Sequence, residues 1–110
     1  MIKYGVELQD WKTAELGAQE MVAEAKSPKD VAIAHYQAGI VFFREGMDRR
    51  KDKYFSRAHD EAGKALAAFV NFPECLALDG RVLAYLRQDD AARSQFQQFL
   101  KIRTTDARER

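Results

Sequence analysis

The sequence predicts an all-α fold, a right-handed stack of antiparallel helix pairs with about five helices in two and a half repeated units. Three observations carry this. The 110 residues are 46% apolar and 32% charged, with only two prolines and six glycines. Alanine, leucine, glutamine, lysine and arginine dominate, and these lose little side-chain freedom in a helix. No stretch alternates apolar and polar residues long enough to form a half-buried strand. Finally, Gly39 and Gly80, 41 residues apart, sit in one recurring frame. Around Gly80 the frame is Leu76, Leu83, Ala92, Phe96, Phe99 and Leu100. Around Gly39 it is His35, Phe42, Ala58, Ala62, Ala65 and Leu66, once seven extra residues are allowed between the halves. A helix pair repeating at a period of about 34 cannot bury its apolar face alone, so it stacks on its neighbours.

The whole chain, 1–110, reads as one domain. Its first helix is expected over 11–26, as a partial unit or a capping helix, with Asp10 as its N-cap and Leu16, Met21, Val22 and Ala25 as its stripe. Ser27-Pro28-Lys29-Asp30 then supplies an N-cap, a proline in the first turn and an acid at the third position. The second helix should run to Glu45 and stop at Gly46 in the left-handed conformation. It is apolar on two sides: Ala34, Ala38, Gly39, Val41 and Phe42 on one, Ile33, Tyr36, Ile40 and Phe43 on the other. A helix of this kind packs on two faces and is central.

Residues 47–53 form the insertion in the first unit (31–70), as a longer turn or an early extra turn of the third helix. That helix is expected over 54–70, with Phe55, Ala58, Ala62, Ala65, Leu66 and Phe69 at helical spacing. Asn71 caps the fourth helix, with Glu74 three residues on. The fourth helix spans 72–87 and turns Leu76, Gly80 and Leu83 inward. Gln88-Asp89-Asp90 makes a turn whose acids suit the next N-terminus. The fifth helix completes the second unit (72–102), and the tail 103–110, without an apolar anchor, should fray.

With these residues in place, the chain resembles the tetratricopeptide repeat (TPR) family. Leu76, Gly80 and Leu83 on one helix, followed by Ala92, Phe96, Phe99 and Leu100 on the next, fit its small-and-large pattern. Pro28 and Pro73 stand near where that family closes its repeats. The resemblance implies a concave groove lined by the first helix of each unit. Its residues would be Ile33, Tyr36, Ile40, Phe43 and Arg44, then Glu74, Ala77, Arg81, Ala84 and Tyr85. Family members that clamp a terminal carboxylate place lysine, asparagine and arginine at several of these positions. Here only Arg81 would serve, so a carboxylate clamp is not implied and the groove of the first unit is apolar.

The remaining features exclude more than they assign. Net charge is +1, so no global field draws the chain to nucleic acid or acidic lipid. One local cluster, Arg44, Arg49, Arg50, Lys51, Lys53 and Arg57, could touch phosphates. Glu45, Asp48 and Asp52 interleave it, however, and Phe55 is wanted in the core, so a solvated turn with local pairs is the expectation. Cys75 is alone, which leaves no internal disulfide and no cysteine-based metal site. His35, His59 and Cys75 lie at no ligand spacing, so neither a metal nor a cofactor is expected. Asp89 and Asp90 are adjacent and point apart on a helix, and no phosphate-cradling loop or nucleophile elbow occurs. The apolar runs Ile40–Phe43 and Ala65–Val70 fall far short of a membrane span, and Met1–Lys12 lacks an apolar leader region. A cytoplasmic, non-catalytic chain is expected.

The functional expectation is a protein–protein interaction module that binds a peptide or protein segment. One alternative is a self-associating structural module, closed by a second copy as a homo-oligomer. The other is a weak nucleic-acid-binding domain using 44–57. The apolar stripe of the second helix is either a groove for such a partner, or is covered internally by the first helix or by Met1–Gln9.

Overall fold

The computed structural model describes residues 11–109, with side chains described for residues 11–103. Over these residues the chain is all-α, without strands: α1 (Trp11–Glu24), α2 (Pro28–Arg49), α3 (Asp52–Ala68), α4 (Pro73–Tyr85) and α5 (Asp89–Glu109). The expected Asp10 cap and the Met1–Gln9 cover lie outside the described residues.

Local chemistry sets most helix ends. At the start of α2 the Ser27 Oγ accepts from the Asp30 N–H at 3.1 Å, and Pro28 occupies the first turn. The other end departs from expectation. The helix runs through Gly46 to Arg49, and it is Arg50 that turns left-handed, at φ 56°, with its N–H on the Gly46 carbonyl. Gly46 serves close packing instead, because a Cβ there would come within 2.8 Å of the Phe55 ring. The insertion therefore adds a turn to α2, and only Arg50 and Lys51 are left to connect it to α3.

The ends of the next two helices also shift. α3 stops at Ala68, two residues early, and leaves Phe69 and Val70 exposed. Asn71 does not cap α4. Phe72 takes that place in extended conformation, without a side-chain cap, because Pro73 forces the residue before it away from helical angles. α4 closes with Arg87 left-handed at φ 62°, while Gln88 N donates to Leu83 O and Arg87 N to Ala84 O. This is the paired bond pattern with which many helices end, made here without glycine. α5 continues to Glu109 instead of fraying after Ile102, and 103–109 contain no glycine or proline to stop it.

Sequential helices run antiparallel. His35 meets Glu61 and Gly46 meets Phe55, which orients α2 against α3. Cys75 reaches Ala62 while Asp79 meets His59, which orients α4 against α3. α3 offers Phe55, Ala58, Ala62 and Ala65 as its buried face, and the alanines allow the neighbouring helices close. One core cluster joins Phe42, Phe55, Ala58, Leu78 and Val82, and a smaller one joins Ala62, Ala65 and Cys75. Gly39 faces Leu78 and the Ala58 carbonyl, and Gly80 faces the Phe96 ring.

The stripe expected on α1 is corrected. Leu16 and Met21 are 51% and 43% exposed, whereas Ala18 is buried and Trp11, Ala14, Val22 and Ala25 are half-buried. That second set keeps the three-and-four spacing of a helix face, which Leu16 and Met21 break.

Candidate functional site

α2 and α4 lie side by side and parallel. Near their N-terminal ends the Tyr36 and Phe72 rings are 5.0 Å apart, and towards their C-terminal ends Phe43 and Tyr85 are 5.7 Å apart. The face between them gathers the residues singled out from the sequence. Ile33, Tyr36, Ile40, Phe43 and Ala77 are half-buried, while Arg44, Glu74, Arg81, Ala84 and Tyr85 are exposed. Ile33 and Arg44 mark the ends of the α2 row and take no part in the ring contacts.

This face has a polar edge at one end. Burial first, then the charges of Glu74 and Cys75, push the Tyr36 hydroxyl above its ordinary pKa, and Arg81 opposes them. At the other end Tyr85, 48% exposed, stacks on buried Phe55 at 5.0 Å with ring planes 10° apart.

The stripe is neither bare nor interior. Tyr36, Ile40 and Phe43 rest their inner edges on the main core cluster. Phe72, just before α4, and Tyr85 at its end cover part of the row. α1 does not cover it, since it lies along another side of α2, where Trp11 Nε1 donates to Asp48 and Ala18 shares a pocket wall with Ala38 and Phe42. Phe72 and Phe55 belong to the site and were not placed there by the sequence. For Phe72 the readable signal was its position before Pro73, which extends the backbone there; its ring meets Tyr36 and Phe69.

That pocket, about 160 Å³, lies between α1, α2 and α3. Its polar wall is already engaged. His35 Nδ1 is 2.7 Å from Glu61, Lys64 lies 3.7 Å from the same carboxylate, and the Arg57 guanidinium sits 4.1 Å over the Phe42 ring. Part of the basic segment is engaged within the chain. Arg49 pairs with Glu45 at 3.0 Å, Lys53 lies over Tyr54, and Arg57 turns into the pocket.

The other polar side chains tie helices together. Asp79, 1% exposed on α4, accepts from His59 of α3 at 2.6 Å and from Gln95 of α5 at 2.7 Å. The buried Cys75 thiol donates to the Ala62 carbonyl, and burial followed by the Asp79 charge pushes it up to about 12. Among the described residues no three His, Cys, Asp or Glu side chains gather as metal ligands, and no helix is long and apolar enough to cross a membrane. Compared with protein families, curated proteins and solved structures, the chain finds no match in any of the three.

Proposed function

We propose that this chain is a non-catalytic interaction module with TPR-like packing, which takes a peptide or protein segment along the α2–α4 face. The observation that carries the reading is the row Tyr36, Ile40, Phe43 and Tyr85, seated on the core by its inner edges and open outward, with Arg44 and Arg81 beside it. Half-buried aromatics are held in place before a partner arrives, so binding costs them little entropy. Tyrosine and arginine also carry a large share of the energy where proteins bind one another.

Register supports the repeated-unit part of the proposal. Gly39 and Gly80 both admit a close neighbour, Leu78 and the Ala58 carbonyl at the first and the Phe96 ring at the second. Glu61 and Gln95 stand at matching places as well, and each reaches a polar group on the preceding helix of its pair, His35 and Asp79.

A photoreactive amino acid placed at Ala84 on this face, and separately at exposed Ala67 on α3, tests the function in the native host. Crosslinks to another protein at Ala84, with none at Ala67, are expected. Crosslinks only between copies of this chain would favour the self-associating alternative. Equal capture at both positions would count against a dedicated face.

A further inference from the structure

We propose that His59 is a phosphoryl acceptor: the buried Asp79 carboxylate holds its ring so that Nε2 meets solvent as a nucleophile for an N-phosphoryl donor. Asp79 of α4 is 1% exposed, and both of its oxygens are engaged. Oδ1 lies 2.6 Å from His59 Nδ1, and Oδ2 accepts from Gln95 Nε2 at 2.7 Å. An ionised carboxylate only accepts, so the proton of the neutral ring sits on Nδ1 and the free lone pair on Nε2. The site lies on the α3–α4 contact and does not rest on the α2–α4 face.

Access separates His59 from the other histidine. His35 has a similar contact, with Nδ1 2.7 Å from Glu61, but its side chain is 13% exposed against 43% for His59. The neighbours of His59 one turn before and one turn after on α3 are Ser56 and Gly63, both small and exposed. A Cβ at Gly63 would meet nothing within 4 Å, so packing does not call for glycine at this mid-helix position, where it weakens the helix relative to alanine. Its effect is to leave the outer side of the His59 ring uncovered.

The step exchanges one phosphorus–nitrogen bond for another. With phosphoramidate as donor, His59 Nε2 attacks phosphorus opposite the amine and the new N–P bond forms. The old P–N bond breaks with its electron pair on the already protonated amine, which leaves as ammonia. The ring then carries a positive charge, with its proton still on Nδ1, and the Asp79 carboxylate 2.6 Å away offsets that charge. Phosphoryl transfer passes through a loose transition state, so holding the nucleophile in line is the main help a protein can give.

Potassium phosphoramidate is the probe, applied to the full chain in neutral buffer and to the same chain unfolded in urea. The folded chain should take a phosphoryl group on His59 Nε2 about tenfold faster than the unfolded one, with His35 left unlabelled. Ring nitrogen shifts in NMR spectra should show the Nδ1–H tautomer of neutral His59. In Asp79→Asn the amide oxygen goes to Gln95 and its NH2 group faces Nδ1, which moves the ring proton to Nε2. Labelling should then fall about tenfold or more. Gly63→Leu covers the ring without touching the Asp79 contacts, and should slow labelling severalfold while the melting temperature does not fall. It gives an answer even if Asp79→Asn fails to fold. Labelling of folded His59 no faster than in urea, equal labelling of His35, attachment at Nδ1, an Nε2–H tautomer in the natural chain, or undiminished labelling of either folded variant overturns the proposal.

Discussion

Tyr85 lies flat on Phe55, centroids 5.0 Å apart, although the first ring is 48% exposed and the second is 5% exposed. The stack links the α2–α4 face to the core, because Phe55 also packs on Phe43 and sits in the central cluster. The open ring is thus held by the closed one, and the two can be separated by substitution. Tyr85→Ala removes two aromatic pairs, with Phe55 and Phe43, each worth about 0.5–1.5 kcal/mol, but as an exposed residue it opens no interior cavity. Tyr36 is different. It touches both core clusters and Phe72, so its replacement moves stability as well as any binding.

The glycines should separate into three groups in thermal or urea melts. Gly46→Ala and Gly80→Ala drive a Cβ to within 2.8 Å of Phe55 and 2.7 Å of Phe96, and should cost about 1–3 kcal/mol each. Gly39→Ala meets Leu78 at 3.2 Å, a smaller overlap, and should cost less. Gly17 and Gly63 meet nothing within 4 Å on exposed helix positions, so alanine there should stabilise by about 0.5–1 kcal/mol. A melt in which Gly46→Ala is as stable as the parent contradicts this order.

Asp79 joins α3, α4 and α5 through His59 and Gln95. Asp79→Ala leaves both partners without an acceptor and should destabilise by about 1–3 kcal/mol. A double-mutant cycle with Gln95→Ala should return a coupling of at least about 0.5 kcal/mol, since the two residues share a bond. Strict additivity would show that the bond contributes nothing to stability.

Cys75 should not react with a thiol reagent in the folded chain at pH 8. Its thiol is fully buried and held well above ordinary thiol acidity, to about 12, by burial first and the Asp79 charge second. The labelling rate should follow global unfolding in denaturant. Fast labelling in native buffer would mean that the α3–α4 contact opens readily.

Much of the architecture was legible because the residues that set it act locally. Ser27, Pro28 and Asp30 start α2 by contacts three residues apart, and the small residues at 58, 62 and 65 fix which face of α3 is buried. The misreadings share a cause in tertiary packing. Gly46 has the identity of a helix stop, and only the Phe55 ring across from it shows why glycine is needed there. Asn71 has the identity of a cap, but Pro73 hands that position to Phe72. Leu16 and Met21 are apolar, yet the face that α1 buries is set by Ala18 and its neighbours. For the candidate site, the α2 row could be named from spacing, whereas the α4 row was named only as what the resemblance implies. The triple tie at Asp79 could not be named, since it joins residues from three helices that sequence distance does not relate.

The most direct test of the α2–α4 face is a peptide-display selection on the immobilised chain, followed by affinity measurements on the enriched peptides. Arg81→Ala and Tyr85→Ala serve as the probes, each melted in parallel. Both replace exposed side chains, and each should weaken the selected peptides by about tenfold or more, about 1.4 kcal/mol, while the folded state persists. Peptides that bind both variants as tightly as the parent would contradict the claim that this face is where the chain meets its partner.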